Sequence, residues 1–356
     1  MSADSGATIG RKPAASTADA ALPRGATLAW SAIAIAATYD MTTPLDLAGI
    51  LAAPSLIDPV FLDSPLRTHA ALDADLGCRL LAKDETGNPI GSFKGRGAEL
   101  FAATALRPGE TVVCASAGNF GQGLAWAARR RGHACIVFAA ENANPVKLDA
   151  MRALGAEVRL AGADFDAAKD AARRHADEHS LRFVEDGAEP AIAQGAGTIA
   201  LELLASARPD IVLVPLGNGA LLEGIGSVIR ARAPSTEIVA VVAANALAMK
   251  LSLDAGRAIR TAAADTLADG IAVRVPIASR LPRLRHCCDR VVAVDETRLT
   301  EAMRLLHRHL GLVVEPAGAA GVAALLVEPD RYAGRLVATV LCGRNVHPAL
   351  RERLFA

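Results

Sequence analysis

Apolar strand-like runs alternate with helix-period segments over most of this 356-residue chain, and that alternation leaves few folds open. Residues 111–115, 135–139, 158–161 and 182–185 read as strands, with helices at 122–131, 145–154 and 165–179 between them. Farther on, strands are expected at 211–215, 238–243, 291–294 and 336–341. Helices are expected at 196–205, 221–232, 299–310 and 317–326. Apolar strands separated by helices imply parallel sheets covered on both faces. The expected fold is therefore α/β, with two parallel-sheet domains. Residues 111–185 read as a small domain inserted in a larger one made of 41–110 plus 186–356. Residues 1–40, rich in Ala, Ser, Thr and Gly, read as a disordered or loosely packed extension.

Charge and composition exclude several classes of function. The 38 basic and 38 acidic side chains cancel, which argues against a nucleic-acid or polyanion partner. Aromatics make up only 3%, too few for a base-stacking platform. None of the six cysteines forms a C-x-x-C pair, so a zinc or iron–sulfur centre has little support. Adjacent Cys287 and Cys288 read as reduced thiols, and a cytoplasmic location is expected. The apolar run 26–37 is too short to span a bilayer and lies too far in for an ordinary signal peptide. No membrane partner is expected.

Four short motifs carry the chemistry. The first is Gly91-Ser92-Phe93-Lys94-Gly95-Arg96-Gly97-Ala98, its lysine read as lying ahead of a strand. A lysine in a glycine-rich loop is most often a solvated surface lysine. Phe93, one of eight phenylalanines, would be wasted on an exposed loop but could cover an aromatic cofactor ring. The second motif is Ser116-Ala117-Gly118-Asn119-Phe120-Gly121-Gln122-Gly123, between a strand and a helix. It is either an ordinary turn or an anion cradle built from free N–H groups at a helix start. The third, Pro215-Leu216-Gly217-Asn218-Gly219-Ala220-Leu221, lacks the last glycine of G-x-G-x-x-G. A plain turn and a phosphate-monoester site both remain open there. The fourth, Leu341-Cys342-Gly343-Arg344-Asn345, ends the last strand. Cys342 is either a buried strand thiol or a weak partner for a heteroaromatic nitrogen. An amine nucleophile beside anion-holding loops suggests an enzyme that binds an amino acid through a lysine-bound aldehyde cofactor, pyridoxal phosphate (PLP).

In this order and spacing the motifs resemble the fold type II PLP enzymes, and most of all the serine/threonine dehydratases (ammonia-lyases), over roughly 45–350. Supporting stretches include Gln194-Gly195-Ala196-Gly197-Thr198, Ala268-Asp269-Gly270 and Glu315-Pro316-Ala317-Gly318-Ala319. The resemblance implies a tryptophan synthase β-like fold with the cofactor in the cleft between two domains. It implies that Lys94 forms the Schiff base and removes the α-proton, and that Phe93 stacks on the ring. Asn119 would bond the ring hydroxyl. Gly217, Asn218, Gly219, Ala220 and Leu221 would hold the phosphate, and Cys342 would face the ring nitrogen. Ser116, Ala117, Gly118, Asn119 and Phe120 would take the substrate carboxylate. The implied reaction is β-elimination from an L-β-hydroxy amino acid such as threonine or serine, giving a 2-oxo acid and ammonia. The alternative is another lyase of this fold, a threonine synthase-like or β-replacing enzyme. A homodimer is expected.

Departures from the family pattern sharpen the expectation. Phe120-Gly121 replaces the usual His then Ala or Gly, which puts substrate identity in doubt. Racemases of the group use a hydroxyl where this chain has Ala117, so racemisation is disfavoured. The stretch Val241-Val242-Ala243-Ala244-Asn245 carries no carboxylate where relatives hold a divalent cation, so no metal is expected.

Overall fold

The computed structural model describes residues 45–355. The expectations for 1–40, including the apolar run 26–37, lie outside the described residues. Ten strands occur among the described residues: β1 (Leu66–Arg67), β2 (Arg79–Asp84), β3 (Val112–Ala115), β4 (Cys135–Ala139), β5 (Glu157–Leu160), β6 (Arg182–Phe183), β7 (Ile211–Pro215), β8 (Glu237–Ala243), β9 (Arg290–Val294) and β10 (Leu336–Leu341). They form two sheets. One has the order β1-β2-β10-β7-β8-β9, and the other β5-β4-β3-β6. Every pair is parallel except β1 with β2.

Strand side chains alternate between faces, and each face has its own core. Val112 and Cys114 of β3 join Val212 and Val214 of β7 in one apolar cluster that runs between the two sheets. Val113, one residue over, packs instead with Ala172 and Ala176 of the helix Phe165–Glu178. Ile211 and Leu213 face the other way, toward Ala320 and Ala323 of the helix Pro316–Val327. Burying each of these branched side chains contributes roughly 1.5–3 kcal/mol. In the larger sheet, Thr339 of β10 donates its hydroxyl to the Leu213 carbonyl at 2.9 Å, which satisfies a polar group in an otherwise dry layer.

Some elements differ from the sequence reading. Lys94 does not lie ahead of a strand: it opens the helix Lys94–Ala105, and the next strand begins at Val112. Gly95 and Gly97 hide this helix, because glycine is a poor helix former. Packing requires them. A Cβ on Gly95 would lie 2.2 Å from the Phe61 ring, and one on Gly97 would lie 2.5 Å from the Ile192 carbonyl oxygen. The helix expected at 196–205 begins earlier, as Pro190–Ser206, with proline in its first turn. The strand expected at 182–185 is only Arg182–Phe183: the Val184 N–H still donates to the Val113 carbonyl at 2.8 Å, and the chain turns from Asp186.

The topology gathers the motifs. Parallel strands point their carboxyl ends the same way, and ligand sites form there. The 116–120 loop follows β3, and Asp186 follows its neighbour β6. The 217–221 loop follows β7, and Cys342 follows β10 beside it. The Lys94 segment is pinned to Cys342: the Phe93 N–H donates to the Cys342 carbonyl at 3.0 Å.

Candidate active site

Lys94 stands on a rigid support. Two residues on, Arg96 is fully buried. Its guanidinium donates to Glu85 at 2.8 and 2.9 Å, to Thr198 at 2.9 Å and to Glu202 at 3.0 Å. These charge-assisted bonds fix the first turn of the helix against its neighbours. Lys94 Nζ lies 4.7 Å from the centroid of the Phe93 ring and pairs with Asp186. Asp186 lay outside every sequence motif.

The 116–120 loop is braced by its own serine. Ser116 Oγ accepts the N–H of Gly118 at 3.2 Å and that of Gly121 at 2.9 Å. Asn119 and Phe120 open the helix Asn119–Arg130, where backbone N–H groups run out of intrahelical acceptors. Such a helix start suits an anion.

Across the cleft, the 217–221 loop leads into the helix Ala220–Arg232. Gly219 has φ +104°, a left-handed conformation that favours glycine. Gly217 has no room for a side chain, since a Cβ would lie 2.7 Å from the Gly270 carbonyl oxygen. The result is a backbone concavity at the start of a long helix, the arrangement that holds phosphate.

At the end of β10, Cys342 donates its thiol to the Val340 carbonyl at 3.5 Å. Burial, and then the neighbouring Glu315, push that thiol well above its ordinary range. Glu315 is itself buried, and burial raises its carboxyl to about 7. Its Oε1 accepts from the Asn119 amide at 2.7 Å. Lys147 lies close to Glu315 and pairs with Asp269 at 2.5 Å. Burial pulls the Lys147 pKa down, but Glu315 and Asp269 outweigh it, and the ammonium is stabilised.

Lys94, the two loops, Cys342, Glu315, Lys147 and Asp269 line one cavity of about 550 Å³. It gathers every candidate that the sequence singled out: Phe93, Lys94, residues 116–120, residues 217–221 and Cys342. It also holds Asp186, Glu315, Lys147 and Asp269, which the sequence reading did not assign to the site. At its rim, Arg274 Nε donates to Asp166 at 2.7 Å, joining the loop after Ile271 to the helix on the smaller sheet.

The family model for pyridoxal-phosphate dependent enzymes matches residues 57–343. The chain belongs to this family. Among curated relatives of this PLP enzyme, an L-threonine ammonia-lyase of Geobacter sulfurreducens is 38% identical over 275 residues, covering 76% of this chain and 68% of that one. A biosynthetic L-threonine dehydratase of Escherichia coli is 33% identical over 290 residues, and the match covers 80% of this chain but only 56% of that longer protein. Among solved structures, a threonine deaminase from T.th. matches with TM-score 0.79 and 36% identity, over 84% of this chain and 98% of that one. The site fits the cofactor. No Cβ fits at Gly217 or Gly219, where it would lie 2.7 Å from the Gly270 carbonyl oxygen and from the Leu284 side chain, so the loop closes tightly and its N–H groups are left for a phosphate. Lys94 offers the amine that an aldehyde needs, and Phe93 offers an apolar face beside it.

Proposed function

We propose that this PLP enzyme is an ammonia-lyase that removes the β-hydroxyl and the amino group of an L-β-hydroxy amino acid, threonine or serine, leaving a 2-oxo acid and ammonia. The observation that carries this reading is the convergence of Lys94, the helix start at Asn119 and the helix start at Ala220 on one cavity. Named relatives of the chain include threonine ammonia-lyases.

Bound PLP supplies an electron sink for the pair released when Cα loses its proton. The protein supplies position and proton transfer. Residues 116–120 hold the substrate carboxylate, and residues 217–221 hold the cofactor phosphate. Phe93 covers the ring beside Lys94, and Cys342 faces its nitrogen. Lys94 Nζ takes the α-proton, since it is the amine that the incoming amino group sets free beside Cα. We assign the two sheets to separate domains, with 111–185 inserted in the larger. Six unpaired thiols support a reducing cytoplasm. Among the described residues, no helix is long and apolar enough to cross a membrane.

The test is a panel of L-amino acids incubated with the holoenzyme, with ammonia and 2-oxo acid both measured. Equimolar release of the two from threonine or serine is expected. Turnover only in the presence of an added nucleophile, with a new amino acid formed, would point to a β-replacing enzyme instead.

A further inference from the structure

We infer that three buried charges behind the 217–221 loop, Arg280, Arg283 and Glu223, help to hold the cofactor phosphate through their net positive charge. The inference rests on the assignment of that loop to the phosphate, and on nothing about the substrate. Arg280 is 1% exposed, Arg283 2% and Glu223 0%. Glu223 lies in the first turn of the helix Ala220–Arg232, and its N–H donates to the Gly219 carbonyl at 2.8 Å. Its carboxylate meets Arg280 Nη2 at 2.5 Å and Arg283 Nη1 at 3.2 Å. Arg283 belongs to the helix Leu281–His286, and Arg280 precedes it. Leu284 of that helix packs on Gly219 itself. The triad therefore stands about one helical turn from the loop. None of its side chains lines the cavity, so it acts from behind.

Two guanidiniums against one carboxylate leave one positive charge in excess. Neighbouring charges do not cancel it. Glu189 faces Arg280, but Arg182 holds that carboxylate at 3.1 Å. Asp289 is held by Arg230 at 2.8 Å. Arg280 is also short of partners: its Nε, Nη1 and Nη2 make no hydrogen bond among the described residues. Burial accordingly pulls the Arg280 pKa below its ordinary value, although Glu223 opposes the fall. Replacing a buried ion triad by apolar side chains is often neutral or stabilising, so stability does not explain this one.

An anion in the loop does explain it. A phosphate monoester carries about 1.5 to 2 negative charges at pH 7. The helix start offers it N–H groups and a partial positive charge. Glu223 alone, in the first turn of that helix, would repel the same phosphate. The two arginines reverse the sign of the field at the loop. Behind the loop no water screens this field, so it reaches the phosphate at low dielectric. Lys94 lies across the cleft from the loop. The triad should therefore act on the phosphate end of the cofactor and leave the aldehyde end alone.

The test compares two ligands that share the ring and the aldehyde and differ in the phosphate: PLP and pyridoxal. The full chain, freed of cofactor with hydroxylamine, is titrated with each, and the ligand's absorbance change reads binding. Wild type should prefer PLP by about 100-fold or more, since hydrogen bonds to a charged group are strong. Arg280→Met removes the excess charge and should weaken PLP about tenfold while pyridoxal binding stays unchanged. Arg280→Lys keeps the charge and should hold PLP as wild type does. Glu223→Gln adds to the excess and should tighten PLP, the opposite of what damage to a brace would do. If a single variant does not melt cooperatively, the apolar triple variant Glu223→Leu, Arg280→Met, Arg283→Leu decides, with the loss expected of Arg280→Met. PLP affinity that does not follow the charge in this order, or equal losses on both ligands, would make the triad a structural brace and overturn the inference. A wild-type protein that binds pyridoxal as tightly as PLP would overturn the phosphate assignment itself, and the inference with it.

Discussion

The Asn119 amide donates to the Glu315 carboxylate at 2.7 Å, tying the first residue of one helix to the residue that precedes another. Asn345 completes the chain: its side-chain amide donates to Asn119 Oδ1 at 2.7 Å. The group read from sequence as a cofactor ligand is thus oriented by two neighbours. One of them, Glu315, is a buried acid whose second oxygen has no protein partner. Gly343 makes the arrangement possible, because a Cβ there would lie 2.6 Å from Glu315 Oε1 and 3.1 Å from Asn119 Nδ2.

Glu315 predicts a pH dependence of stability in the cofactor-free protein. Its carboxyl is raised from 4.5 to about 7, chiefly by burial. The folded state then binds more protons than the unfolded state between these values, so this group's contribution falls as pH rises from about 4.5 to about 7. At 1.36 kcal/mol per unit the full effect is roughly 3 kcal/mol. Glu315→Gln keeps an acceptor for Asn119 and removes the titration. Urea melts should show the variant gaining on wild type as pH rises through this window. A difference that does not change with pH would mean the carboxyl is ionised throughout.

The legible part of the site was the part that follows strands. Ser116, Gly217 and Cys342 each come just after an apolar run, and glycine-rich loops mark those ends. Lys94 was legible as a residue but not as a helix start, because the glycines that packing demands at 95 and 97 suppress the helical pattern. Asp186 follows a two-residue strand and belongs to no motif, so only tertiary structure brings it to Lys94. Arg274 and Asp166 are 108 residues apart, and no local pattern encodes such a pair. Glu315 was visible only as one letter of a supporting stretch. Its raised carboxyl comes from burial, which sequence does not display.

Gly224 predicts how tightly the phosphate loop is supported. A Cβ there would lie 2.2 Å from the Ala193 carbonyl oxygen and 2.6 Å from the Gly197 amide nitrogen. The helices Pro190–Ser206 and Ala220–Arg232 therefore meet backbone to backbone. Gly224→Ala should force them apart at a cost of about 1–3 kcal/mol. It should also loosen the loop that opens the second helix. A lower urea midpoint together with weaker cofactor retention is expected. An unchanged midpoint would mean the helices adjust freely.

Lys94 must compete with a second amine for the cofactor. Lys147 lines the same cavity, but its ammonium is held by Asp269 and stabilised by Glu315. Borohydride reduction of the holoenzyme followed by peptide mapping should place the pyridoxyl group on Lys94. Lys94→Ala should lose both the label and turnover. A label on Lys147 would reassign the nucleophile.

Cys342 should tolerate serine and not aspartate. The thiol is buried beside Glu315, and burial holds it neutral. Cys342→Ser keeps a small neutral donor and should retain substantial activity. Cys342→Asp sets a second acid against Glu315, and like charges in a buried site destabilise each other. Its turnover and its melting temperature should both fall. Equal behaviour of the three proteins would show that Cys342 touches nothing that reacts.

Ala117 sets the stereochemical outcome. Inverting Cα needs a proton carrier on the face opposite Lys94, and the resemblance places Ala117 there. A methyl group cannot exchange a proton. The nearest substitute is Lys147, whose Nζ would lie 3.3 Å from a Cβ on Gly118, in the same loop. That amine is a poor base, because Asp269 and Glu315 hold it as the ammonium. Elimination needs only one base, Lys94, acting on one face. Acid–base help is worth about 10²–10⁴-fold, so racemisation should be slower than elimination by roughly that factor. The expected products from an L-β-hydroxy amino acid are 2-oxo acid and ammonia, with negligible D-isomer. Ala117→Ser should raise D-isomer formation in an enzyme that still eliminates. Chiral chromatography of the wild-type reaction decides it: D-amino acid formed as fast as ammonia would mean that a second base serves the far face, with Lys147 the first residue to replace.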